Sequence, residues 1–166
     1  MTKTYRRRGN DIDYSEVWQD GRELVVHRGQ VGDRGTVYVR PLAPHESPEE
    51  TMKHLAEESF CAGFFEVPVT QMAELILRRP VRGFGTDSEL ASRHALEAAL
   101  DEVLGWTGNG HVDGGDAGGD ELTVYCYVIE PQIALRTIQN EILCSEEFSA
   151  FQPQMASGGS VPGSAL

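Results

Sequence analysis

The sequence predicts an α+β protein made of two small subdomains, and three observations lead there. Residues 14–40 fall into three short runs of apolar and β-branched residues, separated by Asp20-Gly21 and by a glycine-punctuated stretch from Gly29 to Gly35, which is the pattern of an antiparallel meander. From residue 74 onward, strand-type and helix-type runs follow one another in the order β–α–β–β–α–β. Between the first helix and the later strand of that series lies a run, residues 105–120, holding seven glycines and three aspartates. A chain of 166 residues is long enough to bury a core under each half.

Taken in order, residues 1–12 read as a flexible lead-in, basic at Arg6, Arg7 and Arg8. Residues 14–18, 24–28 and 36–40 are the three strands; Asp20-Gly21 closes the first pair and Pro41 stops the third. A helix begins after Ser47, which caps it, with Pro48 at the first helical position and Glu49 and Glu50 at the positive end of the dipole. Met52, Leu55, Ala56, Ser59 and Phe60 recur at helical spacing until Gly63, and residues 64–67 read as a short closing strand. Residues 74–79 are the next strand. Asp87 or Ser88 caps a second long helix, whose apolar stripe of Leu90, His94, Leu96, Leu100, Val103 and Leu104 runs to Gly105. The Gly/Asp run is a flexible acidic loop or the tip of a long hairpin, with residues 110–113 pairing back onto the strand at 122–128. Pro131 opens a third helix with Ile133, Ala134, Ile138, Ile142 and Leu143 inward. Residues 148–151 form a last short strand, and 152–166 a disordered tail.

With that pairing, residues 71–151 form the split βαβ unit of ferredoxin-like folds. Residues 13–67, with the G-x-V-G-x-x-G turn at Gly29, Val31, Gly32 and Gly35 and a Gly63-Phe64-Phe65-Glu66 ending, resemble the WGR-type domain of poly(ADP-ribose) polymerases and of many bacterial proteins; the subdomain is drawn at 13–70. Arg28 and Gln30 stand where that family carries the tryptophan and arginine it uses against nucleic acid. Those two positions depart from the family's pattern, and nucleic-acid binding, through Arg28, Gln30, Arg34 and Arg40 together with Arg6, Arg7 and Arg8, is the alternative function that the resemblance implies. Residues 94–143, with G-W-T-G-x-G-H-x-D-G-G-D-x-G-G at 105–119, resemble the C-terminal half of small bacterial proteins that join such a unit to a WGR-like domain. Some of these belong to toxin–immunity neighbourhoods, which implies neutralisation of a basic effector.

Charge separates the two halves. Residues 1–85 hold 12 Lys/Arg against 13 Asp/Glu, whereas residues 86–166 hold 2 against 13, within a formal net charge of −12. The second half should repel phosphate backbones and attract basic surfaces. No apolar run is long enough to span a bilayer and no apolar segment follows the basic start, so a cytoplasmic address is expected. Cys61, Cys126 and Cys144 show no ligand spacing; Cys61 and Cys126 are expected as buried, reduced thiols.

Three readings compete for the Gly/Asp run. A divalent metal could use Asp113, Asp116 and Asp120, but their spacing is not the ladder of a calcium loop. A hydrolytic site could use His111 as base, yet no nucleophile elbow, phosphate loop or HExxH accompanies it. The reading adopted is a non-enzymatic, cofactor-free binding protein that meets a basic protein partner, an immunity-type role against a toxin being one form of it. Its contact residues are Trp106, His111, Asp113, Asp116, Asp120 and Glu121. His27 is expected as a structural histidine facing solvent, and Trp18 and Trp106 as core anchors of the two halves.

Overall fold

A computed structural model describes residues 1–156 as an α+β protein with two four-stranded antiparallel sheets and three helices. The first sheet has the order β1-β2-β3-β4, formed by β1 (Thr2–Arg8), β2 (Asp11–Asp20), β3 (Glu23–Gln30) and β4 (Thr36–Pro41). The expected meander is present, and Gly21, at φ 57°, makes the two-residue turn between β2 and β3. The lead-in is not flexible. Its residues pair along β2 from Thr2–Val17 to Arg8–Asp11, because Tyr5 buries against Ile12, Tyr14 and Val31 and the arginines find Asp13.

Strand alternation gives this sheet two different faces. Val17, Leu24 and Val26 point to one of them and pack with Leu42, Met52 and Leu55 under α1 (Pro48–Cys61). Ser47 caps α1 by accepting the Glu50 amide, with Pro48 following, as expected. The strand expected at 64–67 is only a single bridge, Tyr5 with Phe65. Cys61 lies at the exposed end of α1; Cys126 alone is buried, and burial pushes its thiol up to about 12.

The second sheet has the order β6-β7-β5-β8 with every neighbour antiparallel: β5 (Ala73–Pro80), β6 (Gly110–Gly118), β7 (Glu121–Val128) and β8 (Gln152–Met155). Leu75 and Leu77 of β5 and Leu122, Val124, Cys126 and Val128 of β7 face α2 (Asp87–Trp106) and α3 (Pro131–Glu141), which supply Leu96, Leu100, Leu104, Ala134 and Ile138 to one core. Thr86, not Asp87 or Ser88, caps α2 in a capping box with Glu89, and the helix runs past Gly105 to Trp106. The final strand lies at 152–155, not 148–151; residues 157–166, the rest of the expected tail, lie outside the described residues.

The Gly/Asp run is a strand rather than a loop. β6 pairs with β7 along its length through a bulge between Val112 and Gly114, and the connection is a two-residue turn, Gly119-Asp120, with φ 61° and 65°. Positive φ at both positions is what a type I′ hairpin turn requires, and Asp is among the side chains that tolerate it. Asp120 also accepts the Gly83 amide at 2.6 Å, which fixes the turn to the β5–α2 connection.

The two sheets are joined at the C-terminus of α2. Gly32 donates to the Thr107 carbonyl at 2.8 Å and the Tyr14 hydroxyl to the Trp106 carbonyl at 3.2 Å. Gly108, at φ 65°, lies against the Tyr14 ring, where a Cβ would collide with it. Asn109, fully buried, gives its side-chain N–H to the Glu130 carbonyl and accepts the Glu130 amide, tying the start of β6 to the start of α3. Arg7–Glu130 and Arg34–Glu141 cross the same joint at 3.2 and 3.0 Å.

Candidate functional site

On one side of this joint opens a groove of about 480 Å³ whose walls come from both halves. β1 and β2 contribute Lys3, Glu16 and Trp18; the last turns of α2 contribute Asp101, Glu102 and Trp106; β6 contributes His111. Register explains the first group: Lys3 lies opposite Glu16, Glu16 opposite His27, and Trp18 opposite Val25, so their side chains share the sheet face turned away from α1. Helical spacing explains the second, since Asp101 and Glu102 lie five and four residues before Trp106.

The floor is a saturated polar array. His27 is fully buried, contrary to its expected place in solvent, and its Nδ1 sits 2.6 Å from Glu16 Oε1. Its Nε2 lies 2.7 Å from the Arg34 carbonyl and 2.8 Å from the Tyr14 hydroxyl. Glu16 also meets Lys3 Nζ at 3.1 Å. Burial, then the charges of Glu16 and Asp33, hold the Tyr14 hydroxyl well above the ordinary phenol value, so it keeps its single hydrogen, which the Asp33 and Trp106 carbonyls, each at 3.2 Å, share or exchange. The Trp106 ring stands edge-on to His27 at 5.0 Å. With a fixed partner at each ring nitrogen, His27 braces the joint and has no free site for proton transfer.

The rim is different. Among the described residues, five carboxylates of the second half pair with arginine: Glu89, Glu97, Glu121, Glu130 and Glu141. Asp101 and Glu102 have no cation partner among the described residues; Asp101 accepts the Val112 amide at 3.1 Å. Acidic residues in the last turns of a helix oppose its dipole, and α2 carries no basic residue there to offset them. Trp106 is 39% exposed, and Trp18 beside it is half-buried, so neither is the core anchor expected of it.

The predicted contact residues are divided by the fold. Trp106 and His111 line the groove, the His111 ring lying 5.9 Å from that of Tyr127. Asp113 sits exposed in the β6 bulge, and Asp116 turns onto the Ala117 amide at 2.8 Å. Asp120 and Glu121 sit at the hairpin turn, roughly 25 Å along β6 from the groove at the usual strand rise. There Asp120 is bound to Gly83, and Glu121 to Arg78 at 2.6 Å. No three His, Cys, Asp or Glu side chains converge as a metal site among the described residues. Asp101 and Glu102 were not singled out from the sequence, and Trp18 was read as a core anchor rather than a contact; two uncompensated acids at the end of a helix were the signal available for finding the first two.

The opposite face of the first sheet holds a second cleft, about 620 Å³, beside α1. Arg6 and Arg8 converge there on Asp13, at 2.8 and 2.6 Å, and Arg6 lies over the Phe64 ring at 4.5 Å. Hydrogen bonding from Arg8, and then from Arg6, holds the Asp13 carboxyl below the usual carboxylate range. Arg28, bonded through Nε to Ser15, and Gln30 complete the wall. Of the seven residues predicted to contact nucleic acid, Arg6, Arg8, Arg28 and Gln30 therefore lie together, while Arg7 pairs with Glu130. Arg34 and Arg40 lie elsewhere, each on a glutamate, Glu141 and Glu46. No helix among the described residues is long and apolar enough to cross a membrane.

No protein-family model matches the chain, and neither the curated proteins nor the solved structures contain a match to it.

Proposed function

We propose that the chain is a non-enzymatic protein-binding module whose groove at the joint receives a basic segment of a partner protein. One observation supports this above the others: an exposed tryptophan and two carboxylates with no cation partner among the described residues share a single concave surface built by both halves. Trp106 and Trp18 offer apolar area to the stem of a lysine or arginine, and Asp101 and Glu102 offer charge to its head. In this reading the first layer is WGR-like and the second ferredoxin-like. The all-antiparallel order β8-β5-β7-β6, with two helices on one face, supports the latter. A toxin-type effector is the partner class that the resemblance implies.

The test is affinity capture with the wild type, Trp106→Ala, and an Asp101→Asn/Glu102→Gln double variant. A basic partner should be held by the first and lost from both variants, the double variant keeping the wild-type denaturant stability or gaining slightly on it. Its association rate should fall at least about tenfold between roughly 20 and 200 mM salt. A salt-independent rate, or equal capture by all three proteins, overturns the reading.

A second reading rests on the arginine cleft: nucleic acid bound through Arg8, Arg28 and Gln30, with the phosphate chain on the free faces of the two guanidinium groups. Fluorescence anisotropy with a short labelled duplex at low salt decides it. Binding that weakens in Arg8→Ala/Arg28→Ala supports nucleic acid, and no binding at micromolar protein removes it.

A further inference from the structure

The two sheets have four edges, and three are protected in recognisable ways. β1 carries Lys3, Arg6, Arg7 and Arg8 and is bridged through Tyr5 to Phe65. β6 is broken by its bulge, and Asp101 takes the Val112 amide. β8 has four residues and contains Pro153. β4 is the least protected of the four: its one basic residue, Arg40, is paired with Glu46, and its proline, Pro41, stands only at the last position of the strand. All six of its residues are exposed, no bulge interrupts its pairing with β3, and it presents Val37, Tyr38 and Val39 in succession, at 40, 58 and 54% exposure.

We propose that β4 pairs with β4 of a second copy, antiparallel about Tyr38, so that the first sheets of two molecules join into one of eight strands. The sequence of the strand is self-complementary in that register. Tyr38 meets Tyr38, Val37 meets Val39, and Thr36 meets Arg40, whose charge is already answered by Glu46 at 2.8 Å. Alternation puts Val37 and Val39 of both copies on the face shared with His27 and Val25, giving one continuous apolar strip. Charge favours this edge too. Two molecules of net charge −12 repel, but the repulsion resides in residues 86–166, whereas the half that carries β4 is close to neutral. A second copy is therefore a more compatible occupant of this edge than of any surface of the second half. The association is weak, because few side chains are buried, and added salt strengthens it by screening the remaining repulsion. Salt acts in the opposite sense on the basic partner of the groove, so the two ideas fail separately.

Sedimentation equilibrium of the full chain, from about 5 to 500 μM protein at roughly 50 and 500 mM salt, should show a monomer–dimer equilibrium that tightens with salt. Val39→Lys places a charge at the pairing line on an exposed strand, and should weaken the dimer by roughly tenfold or more without unfolding the monomer. In a Cys61→Ser/Cys144→Ser background, Tyr38→Cys should cross-link on mild oxidation and Thr36→Cys should not, since only position 38 meets itself. A monomer throughout, a dimer indifferent to Val39→Lys, or equal cross-linking at both positions overturns the proposal.

Discussion

The groove and the arginine cleft open on opposite faces of the same four-stranded sheet, and they differ in whether their charges are answered. In the cleft, Asp13 is gripped by two arginines, and under the groove Glu16 is shared between His27 and Lys3. On the rim of the groove, Asp101 and Glu102 face water beside an exposed indole. A charge answered from within holds the fold; one left unanswered on a concave surface costs the fold a little and serves an encounter with something else. The two kinds of site should respond to mutation in opposite ways.

The largest effect should come from His27→Ala. It removes the group that satisfies Glu16, the Arg34 carbonyl and Tyr14 together, and should cost about 3 kcal/mol in denaturant unfolding. A cost under about 1 kcal/mol would break the contrast, because the array would then be no firmer than a surface pair. Gly108→Ala should follow at about 2 kcal/mol, from positive φ and collision with the Tyr14 ring, and should loosen the groove as well as the fold.

Asp13→Asn should cost somewhat less and should change the pH profile. Because the folded carboxyl titrates below its ordinary value, near 4, the stability it supplies is present above that value and is lost as the pH falls through the lowered one. The wild-type denaturant midpoint should therefore drop on acidification through that window, and the variant's should drop less. The smallest effect, of opposite sign, belongs to Asp101→Asn/Glu102→Gln. Relief of the α2 dipole should stabilise by about 0.5 kcal/mol while partner capture is lost. A marked destabilisation would place the rim with the structural charges and end the distinction.

Much of the fold was legible where local chemistry decides it. The Asp20-Gly21 turn, the Ser47-Pro48 helix start, and the strand–helix order from residue 73 onward all declare themselves in a few residues. The failures share one cause, which is that distant partners override local preference. Three consecutive arginines argue against a strand until Asp13 and Glu130 lie beside them, and glycines argue for a loop until β7 supplies a ladder. His27 reads as a surface residue because the groups that bury it, Tyr14, Arg34 and Trp106, come from three separate segments. The site was legible only in part, for a related reason. Trp106 and His111 stand out by composition, but the carboxylates that join them come from the preceding helix rather than from the conspicuous aspartates of the hairpin.

The joint around Tyr14, Gly108 and Asn109 has a consequence for how the molecule can be taken apart. Each half has its own apolar interior, yet each also carries a surface that is dry only while the other is in place: Tyr14 and Val31 on one side, Ile129 and Ile133 on the other. A chain cut just before Ala73 should therefore yield two fragments that are poorly soluble apart and reassemble when mixed, making the protein a natural candidate for a split reporter.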